Sequence, residues 1–177
     1  EAAELLRDVP DVLFLLVGDG ARREHLVQRC ASMKLDNVVM LGQLPKSMMP
    51  TIWAITGASL VLLRDEPTFL SVIPSKIFES MAMQRPIILG VRGESQALVE
   101  QSGAGICIQP ESAAELAAAV RRLHADAGAR RAMGEAGRRF VAEHFDRKVL
   151  AARYLELLAG VVMRGSRNGP SRPGQAA

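Results

Sequence analysis

The sequence predicts an α/β fold, a doubly wound parallel sheet followed by C-terminal helices. Two patterns carry this expectation. Five short and nearly continuous apolar runs, VLFLLV (12–17), NVVML (37–41), ASLVLL (58–63), PIILGV (86–91) and AGICIQ (104–109), read as strands covered on both faces. Between them the spacing predicts helices over 21–34, 46–55, 75–83 and 94–101, and repeated strand–helix units imply a parallel sheet. Right-handed crossovers then put helices on both of its faces.

Taken in order, EAAELLRDVPD (1–11) reads as the end of an amphipathic helix with no strand before it. A doubly wound half ordinarily starts with a strand and often places it centrally, so this sheet is expected to lack its first strand. After residue 110 the strand pattern stops. SAAELAAAVRRLHAD, ARRAMGEAGRRFVAEHF and DRKVLAARYLELLAG give three successive helices. Ser112 followed by Glu115 is a capping-box signature, and Asp146 is placed to cap the last helix. The tail VVMRGSRNGPSRPGQAA contains Arg164, Arg167 and Arg172 and no acid, and reads as disordered. The expected division is therefore a folded domain over 1–160 and a basic tail over 161–177.

Composition narrows the functional classes. With 49% hydrophobic and 23% charged residues in 177, the chain can bury a proper core. Its net charge of +3 resides in the three tail arginines; without them the 22 basic residues fall to 19, against 19 acidic ones. Arg121/Arg122, Arg130/Arg131 and Arg138/Arg139 alternate with acids and read as solvated helix faces, so no nucleic-acid partner is expected. Cys30 and Cys107 lack CxxC spacing and read as reduced packing residues; His25, His124 and His144 lack paired-ligand spacing, so no metal is expected. There is no signal-peptide pattern and no apolar run near the roughly 20 residues that span a bilayer. The expected location is cytoplasmic, compatible with a position at the inner face of the membrane. The start at Glu1 reads as a piece of something longer.

In open parallel sheets, ligands bind outside the carboxyl ends of the strands. Four turns there carry suggestive chemistry: Gly18-Asp19-Gly20, the GQLPK turn with Gly42 and Gln43, the segment RDEPTFLSVIPSK, and VRGE. GDGARR has Arg23 where a dinucleotide fingerprint has its third glycine, so that loop is either a plain turn or a ligand loop. The third turn says more. Ser75 after Pro74 suits a helix N-cap, first-turn N–H groups make an anion site, and Lys76 adds positive charge where the macrodipole favours an acid. At 100° per residue Ser75, Glu79 and Lys76 fall near 0°, 40° and 100°, opposite Ile77, Phe78, Met81 and Ala82. Glu79 stands about 6 Å along the axis from Ser75. Its carboxylate either accepts two vicinal ribose hydroxyls or forms a surface pair with Lys76.

The succession VGDG, VVMLGQLP, ASLVLL, VIPSKIFESMAMQRPIILGVRGE, GAGICIQPESAAELAAAV and RRAMGEAGRRFVAEHFDR resembles the C-terminal domain of bacterial group 1 glycosyltransferases, over residues 3 to 158. These are retaining enzymes with a Rossmann-like, GT-B architecture. The VIPSKIFE wording resembles the capsule and O-antigen subgroup that includes N-acetylfucosamine transferases. The resemblance implies a nucleoside-diphosphate-sugar donor, with UDP the family-level expectation, no metal cofactor, and an acceptor domain N-terminal to this one. Glu79 matches the second glutamate of the family's paired-glutamate motif, the one that holds the ribose. Ser75 and Lys76 fall where the diphosphate is expected, and Gly18, Asp19, Gly20, Gly42 and Gln43 match loops lining the donor cleft. The first glutamate of the motif is replaced by Ser71, which places the sugar contacts in question. Gln84 stands at the usual helix-ending glycine, where a left-handed backbone would cost about 1–2 kcal/mol. No residue is assigned to acid–base catalysis. A sugar-nucleotide 2-epimerase on the same scaffold and a non-enzymatic α/β interaction module are the alternatives.

Overall fold

A computed structural model describes residues 1–167. All five expected strands form, as β1 (Phe14–Val17), β2 (Val38–Gly42), β3 (Ser59–Leu62), β4 (Ile87–Gly90) and β5 (Gly105–Cys107). The helices are α1 (Ala2–Leu5), α2 (Arg23–Ser32), α3 (Met49–Ile55), α4 (Ser75–Ala82), α5 (Glu94–Ser102), α6 (Ala113–Ala125), α7 (Ala127–His144) and α8 (Arg147–Arg167). Short 3-10 turns occupy Lys46–Met48 and Pro67–Ser71. Helix α8 runs through Arg167, so the expected boundary at 160 falls inside a helix; residues 168–177 lie outside the described residues.

Every strand pair is parallel, but the strands form two sheets, β1-β2 and β3-β4-β5. The classic doubly wound order is 3-2-1-4-5-6. Leu16 of β1 and Leu62 of β3 are exposed for sheet residues, at 43% and 45%.

The larger sheet has helices on both faces because β4 is apolar without alternation: Ile87, Ile88 and Leu89 are all fully buried. Ile87 and Leu89 join Val61, Ile77, Met81, Val99 and Ala104 under α4, α5 and α7. Ile88 joins Leu116, Ala119 and Leu123 of α6 on the other face, with Ala2 packed against it.

Caps delimit the C-terminal helices. Ser112 Oγ accepts from Glu115 N at 3.2 Å, and Asp126 and Asp146 carboxylates accept from Ala129 N and Lys148 N, each at 2.8 Å. Glu115 does not close the capping box; its carboxylate accepts from Gln109 N at 2.7 Å, tying α6 to the end of β5. Three arginines expected on solvated faces are clamps. Arg121 grips Asp8 through two bonds of 2.6 and 2.9 Å, which lowers the Asp8 carboxyl below the usual carboxylate range. Arg130 donates to the last carbonyls of α6, including His124 O at 3.0 Å, and Arg138 of α7 donates to Ala82 O at the end of α4, also at 3.0 Å.

Candidate functional site

Helix α4 is set on β3 by chemistry that periodicity does not reveal. Ser80, fully buried, donates to Lys76 O (2.6 Å) and shares a hydrogen bond with Ser59 Oγ of β3 (2.8 Å). The buried stripe is thus Ile77, Ser80 and Met81. Phe78 and Ala82 are half-buried, and the Phe78 ring rests 4.7 Å from Phe145 at the end of α7 instead of on the sheet. A hydroxyl satisfied within its own helix and by a strand hydroxyl needs no water, so Ser80 can occupy a core position.

The N-terminus of α4 corrects one expectation. Pro74 is the N-cap, Ser75 is the first helical residue, and no side chain caps the helix. The Ser75 hydroxyl turns down the helix to Glu79 Oε1 at 3.3 Å. Side chains of a helix tilt toward its N-terminus, so the Glu79 carboxylate reaches back one turn to the Ser75 hydroxyl, which orients it and leaves the first N–H groups untouched. Ile77 N bonds Pro74 O at 3.0 Å, while the amides of Ser75 and Lys76 have no partner among the described residues. Lys76 and Glu79 are exposed and form no ion pair with each other among those residues. The end of α4 therefore offers two free N–H groups and a lysine, with an acceptor-only carboxylate one turn away.

The loop leading into α4 is held from behind. Gly93, at φ 77°, passes so close to Leu70 that a Cβ would sit 2.0 Å from its carbonyl oxygen. Only glycine fits there. Ser95 Oγ, at the start of α5, donates to Val72 O at 2.6 Å. Between these two anchors lies Ser71, exposed at the end of the 3-10 turn. Gln84 has φ 54°, the left-handed conformation expected where the family pattern has glycine.

The second group of predicted residues gathers at the ends of β1 and β2. Gly18 N donates to Gly42 O at 2.7 Å, joining the two loops, and Gly20 N bonds Asp19 Oδ1 at 2.8 Å. Gly42 has φ 72° and Gln43 is exposed beside it. The structure thus assembles Gly18, Asp19, Gly20, Gly42 and Gln43 in one cluster and Ser71, Ser75, Lys76 and Glu79 in another. No hydrogen bond joins the two clusters among the described residues.

Two cavities lie to the sides of these clusters. One of about 680 Å³ lies among Leu62, Ile108, Leu116 and Ala2, and one of about 610 Å³ among Val27, Val38 and Met40. Sequence reasoning missed Ser59, Ser80, Gly93 and Ser95, whose partners are distant in the chain. It also passed over Arg23, noticed only as a missing glycine.

Comparison with known proteins bears on this arrangement. The family of group 1 glycosyl transferases matches residues 1–140. The chain is 32% identical over 135 residues to alpha-D-kanosaminyltransferase of Streptomyces kanamyceticus, covering 76% of this chain and 34% of that protein. It is 28% identical over 160 residues to a GDP-mannose-dependent phosphatidylinositol monomannoside mannosyltransferase of Mycolicibacterium smegmatis, covering 89% and 42%. Anabaena HepE, solved with UDP-glucose, superposes with a TM-score of 0.74 at 21% identity over 90% of this chain and 44% of HepE, a likeness of fold. The chain spans less than half the length of each.

Proposed function

Because this chain belongs to the group 1 glycosyltransferase family, with the GT-B fold, we propose that it forms the donor-binding half of a retaining glycosyltransferase that takes its sugar from a nucleoside diphosphate. The observation that carries the reading is the end of α4: unpaired amides at Ser75 and Lys76, with the Glu79 carboxylate held one turn along by Ser75.

In this reading the diphosphate lies on the two amides and Lys76, and Glu79 accepts hydrogen bonds from the ribose hydroxyls. An acceptor hydroxyl attacks the anomeric carbon, the bond from that carbon to the diphosphate oxygen breaks, and negative charge grows on the leaving group. Donors fixed at a helix end stabilise that charge more in the transition state than in the ground state. The positive charge comes from protein groups, so the reading requires no metal. UDP is the proposed carrier, in keeping with the UDP-glucose complex of HepE; the mannosyltransferase relative makes GDP the next to try. The acceptor is proposed to be a bacterial surface polysaccharide or a lipid-linked glycan, the acceptor half a separate N-terminal domain, and the place of work the cytoplasm at the inner face of the membrane. No helix among the described residues is long and apolar enough to cross a membrane. The transferred sugar is proposed to be a hexose or N-acetylhexosamine, with Ser71 replacing a carboxylate beside it.

Calorimetric titration of the full-length protein with UDP and GDP tests the site. Glu79→Ala should weaken binding by about 1.5–3 kcal/mol, as loss of a charged hydrogen-bonding partner does. Unchanged affinity would sink the ribose role.

A further inference from the structure

Among the described residues, β2 pairs with β1 on one side and with nothing on the other. Phe14 of β1 stands opposite Val38 and its amide bonds Asn37 O at 2.9 Å, so in this parallel ladder the backbone groups of Asn37 and Val39 point toward β1. Those of Val38 and Met40, one residue out of step, point away from it. The ladder holds this register as far as Leu16 opposite Met40, and its irregularity comes after that pair. Edge strands are ordinarily guarded by a lysine, a proline or an inward charge. The strand VVMLG has none of these.

The cavity of about 610 Å³ opens along this edge. Val38 and Met40 form its floor and Val27 of α2, 42% exposed, a wall; no described residue of β1 or of the larger sheet lines it. Its charged groups are Arg23, Lys34 and Asp36, and none of them forms an ion pair among the described residues. Arg23 Nε is buried without an acceptor, which a guanidinium ordinarily finds. The guanidinium lies over Gly42, with Nη2 3.7 Å and Cζ and Nε 3.9 Å from where a Cβ would stand on that glycine. Arg23 therefore marks the carboxyl end of β2, and Asp36, two residues before Val38, marks the other.

We infer that this edge is the contact between two copies of the chain, which join antiparallel across a two-fold axis at Val39 so that β2 continues into β2 of the second copy. Val38 of each copy then faces Met40 of the other, and each such pair exchanges two backbone hydrogen bonds. The same register sets Asp36 of one copy alongside Gly42 of the other, where the Arg23 guanidinium receives the carboxylate it lacks. Asp36, Val38 and Met40 project to one face of the strand, the face under α2, so the two grooves close on each other and cover Val27. Lys34 is exposed and stays in water beside its own Asp36. A two-fold contact requires one surface to hold both halves of every pairing. This edge does: it supplies its own N–H and C=O groups, with an unpaired cation at one end and an unpaired acid at the other.

Sedimentation equilibrium of the full-length protein over a range of concentrations tests the contact, with amide hydrogen exchange read in the segment 36–42. The wild type should show a monomer–dimer equilibrium, and the amides of Val38 and Met40 should exchange more slowly as dimer forms. Asp36→Arg and Arg23→Glu each place like charges together twice across the axis. Each should weaken association at least about 10-fold, and the double variant, which restores opposite charges, should return to within about threefold of the wild type. Met40→Pro removes an outward N–H without touching the β1 ladder and should give a monomer; should it not fold, the charge exchange decides. A wild type that stays monomeric at every concentration, a dimer that leaves those two amides unprotected, or a double variant no better than its parents overturns the contact. A monomeric wild type that instead pairs with an extended acidic peptide overturns it too.

Discussion

Replacing Gly134 by alanine should be among the most damaging single-methyl additions to this fold. A Cβ at Gly134 would sit 2.3 Å from the carbonyl oxygen and 2.9 Å from the carbonyl carbon of Gln84. Ordinary contact begins near 3.4 Å, so α7 would have to retreat from α4 by about 1 Å. The neighbouring contacts leave little slack: a Cβ on Gly137 would already stand 3.0 Å from Ala104 Cβ, and the bond from Arg138 to Ala82 O is 3.0 Å long. Overpacking costs about 1–3 kcal/mol, and stretching the arginine bond adds about 1.5 kcal/mol. The better helix propensity of alanine returns up to about 1 kcal/mol. The net loss of about 1.5–3.5 kcal/mol should lower Tm by roughly 3–14 °C in a chain of this size. Thermal unfolding followed by circular dichroism measures it, with Gly160→Ala in α8 as the control, since nothing lies within 4 Å of a Cβ there. Gly134→Ala melting at or above the wild-type temperature would refute the packing of α7 on the backbone of Gln84. Helix α4 carries Lys76 and Glu79, so the same displacement should also weaken UDP binding.

Gln84→Gly should raise stability by about 0.5–1 kcal/mol, because relief of left-handed strain at φ 54° outweighs the entropy glycine adds to the unfolded chain; a lower urea midpoint would contradict that conformation. The Cys107 thiol is pushed up to about 11, first by burial and then by the charge of Glu100. A thiol is protonated below its pKa, so at pH 8 iodoacetamide should label Cys107 about a hundredfold more slowly in the native protein than after unfolding, with the rate rising toward pH 11. Equal rates by mass spectrometry would show that the thiol is not in that environment.

Much of the architecture was legible from local pattern. Strand runs and helix spacings lie close together in the chain, and all five strands appear where their apolar runs stand. Gln84 in the left-handed region was foreseeable because a glycine position has a backbone meaning that any replacement inherits. The cap at Ser75 was misread for a physical reason: cap preference is statistical, and here Pro74, with extended backbone, takes the flanking position and leaves Ser75 inside the helix.

By itself the sequence determined the order of elements, the parallel sheet with helices on both faces, and the placing of Lys76 and Glu79 on the open side of α4. These follow from residue spacing and side-chain polarity, which act over one or two turns. Tertiary structure alone decided what holds that helix and its entry loop and what covers Gly42: Ser80 against Ser59, Gly134 against Gln84, Gly93 against Leu70, and the guanidinium of Arg23 lying over Gly42. Each is a meeting of groups separated by 19 to 50 residues in the chain. Such contacts depend on how close two backbones come, and that distance exists only once the sheet and its covering helices have packed.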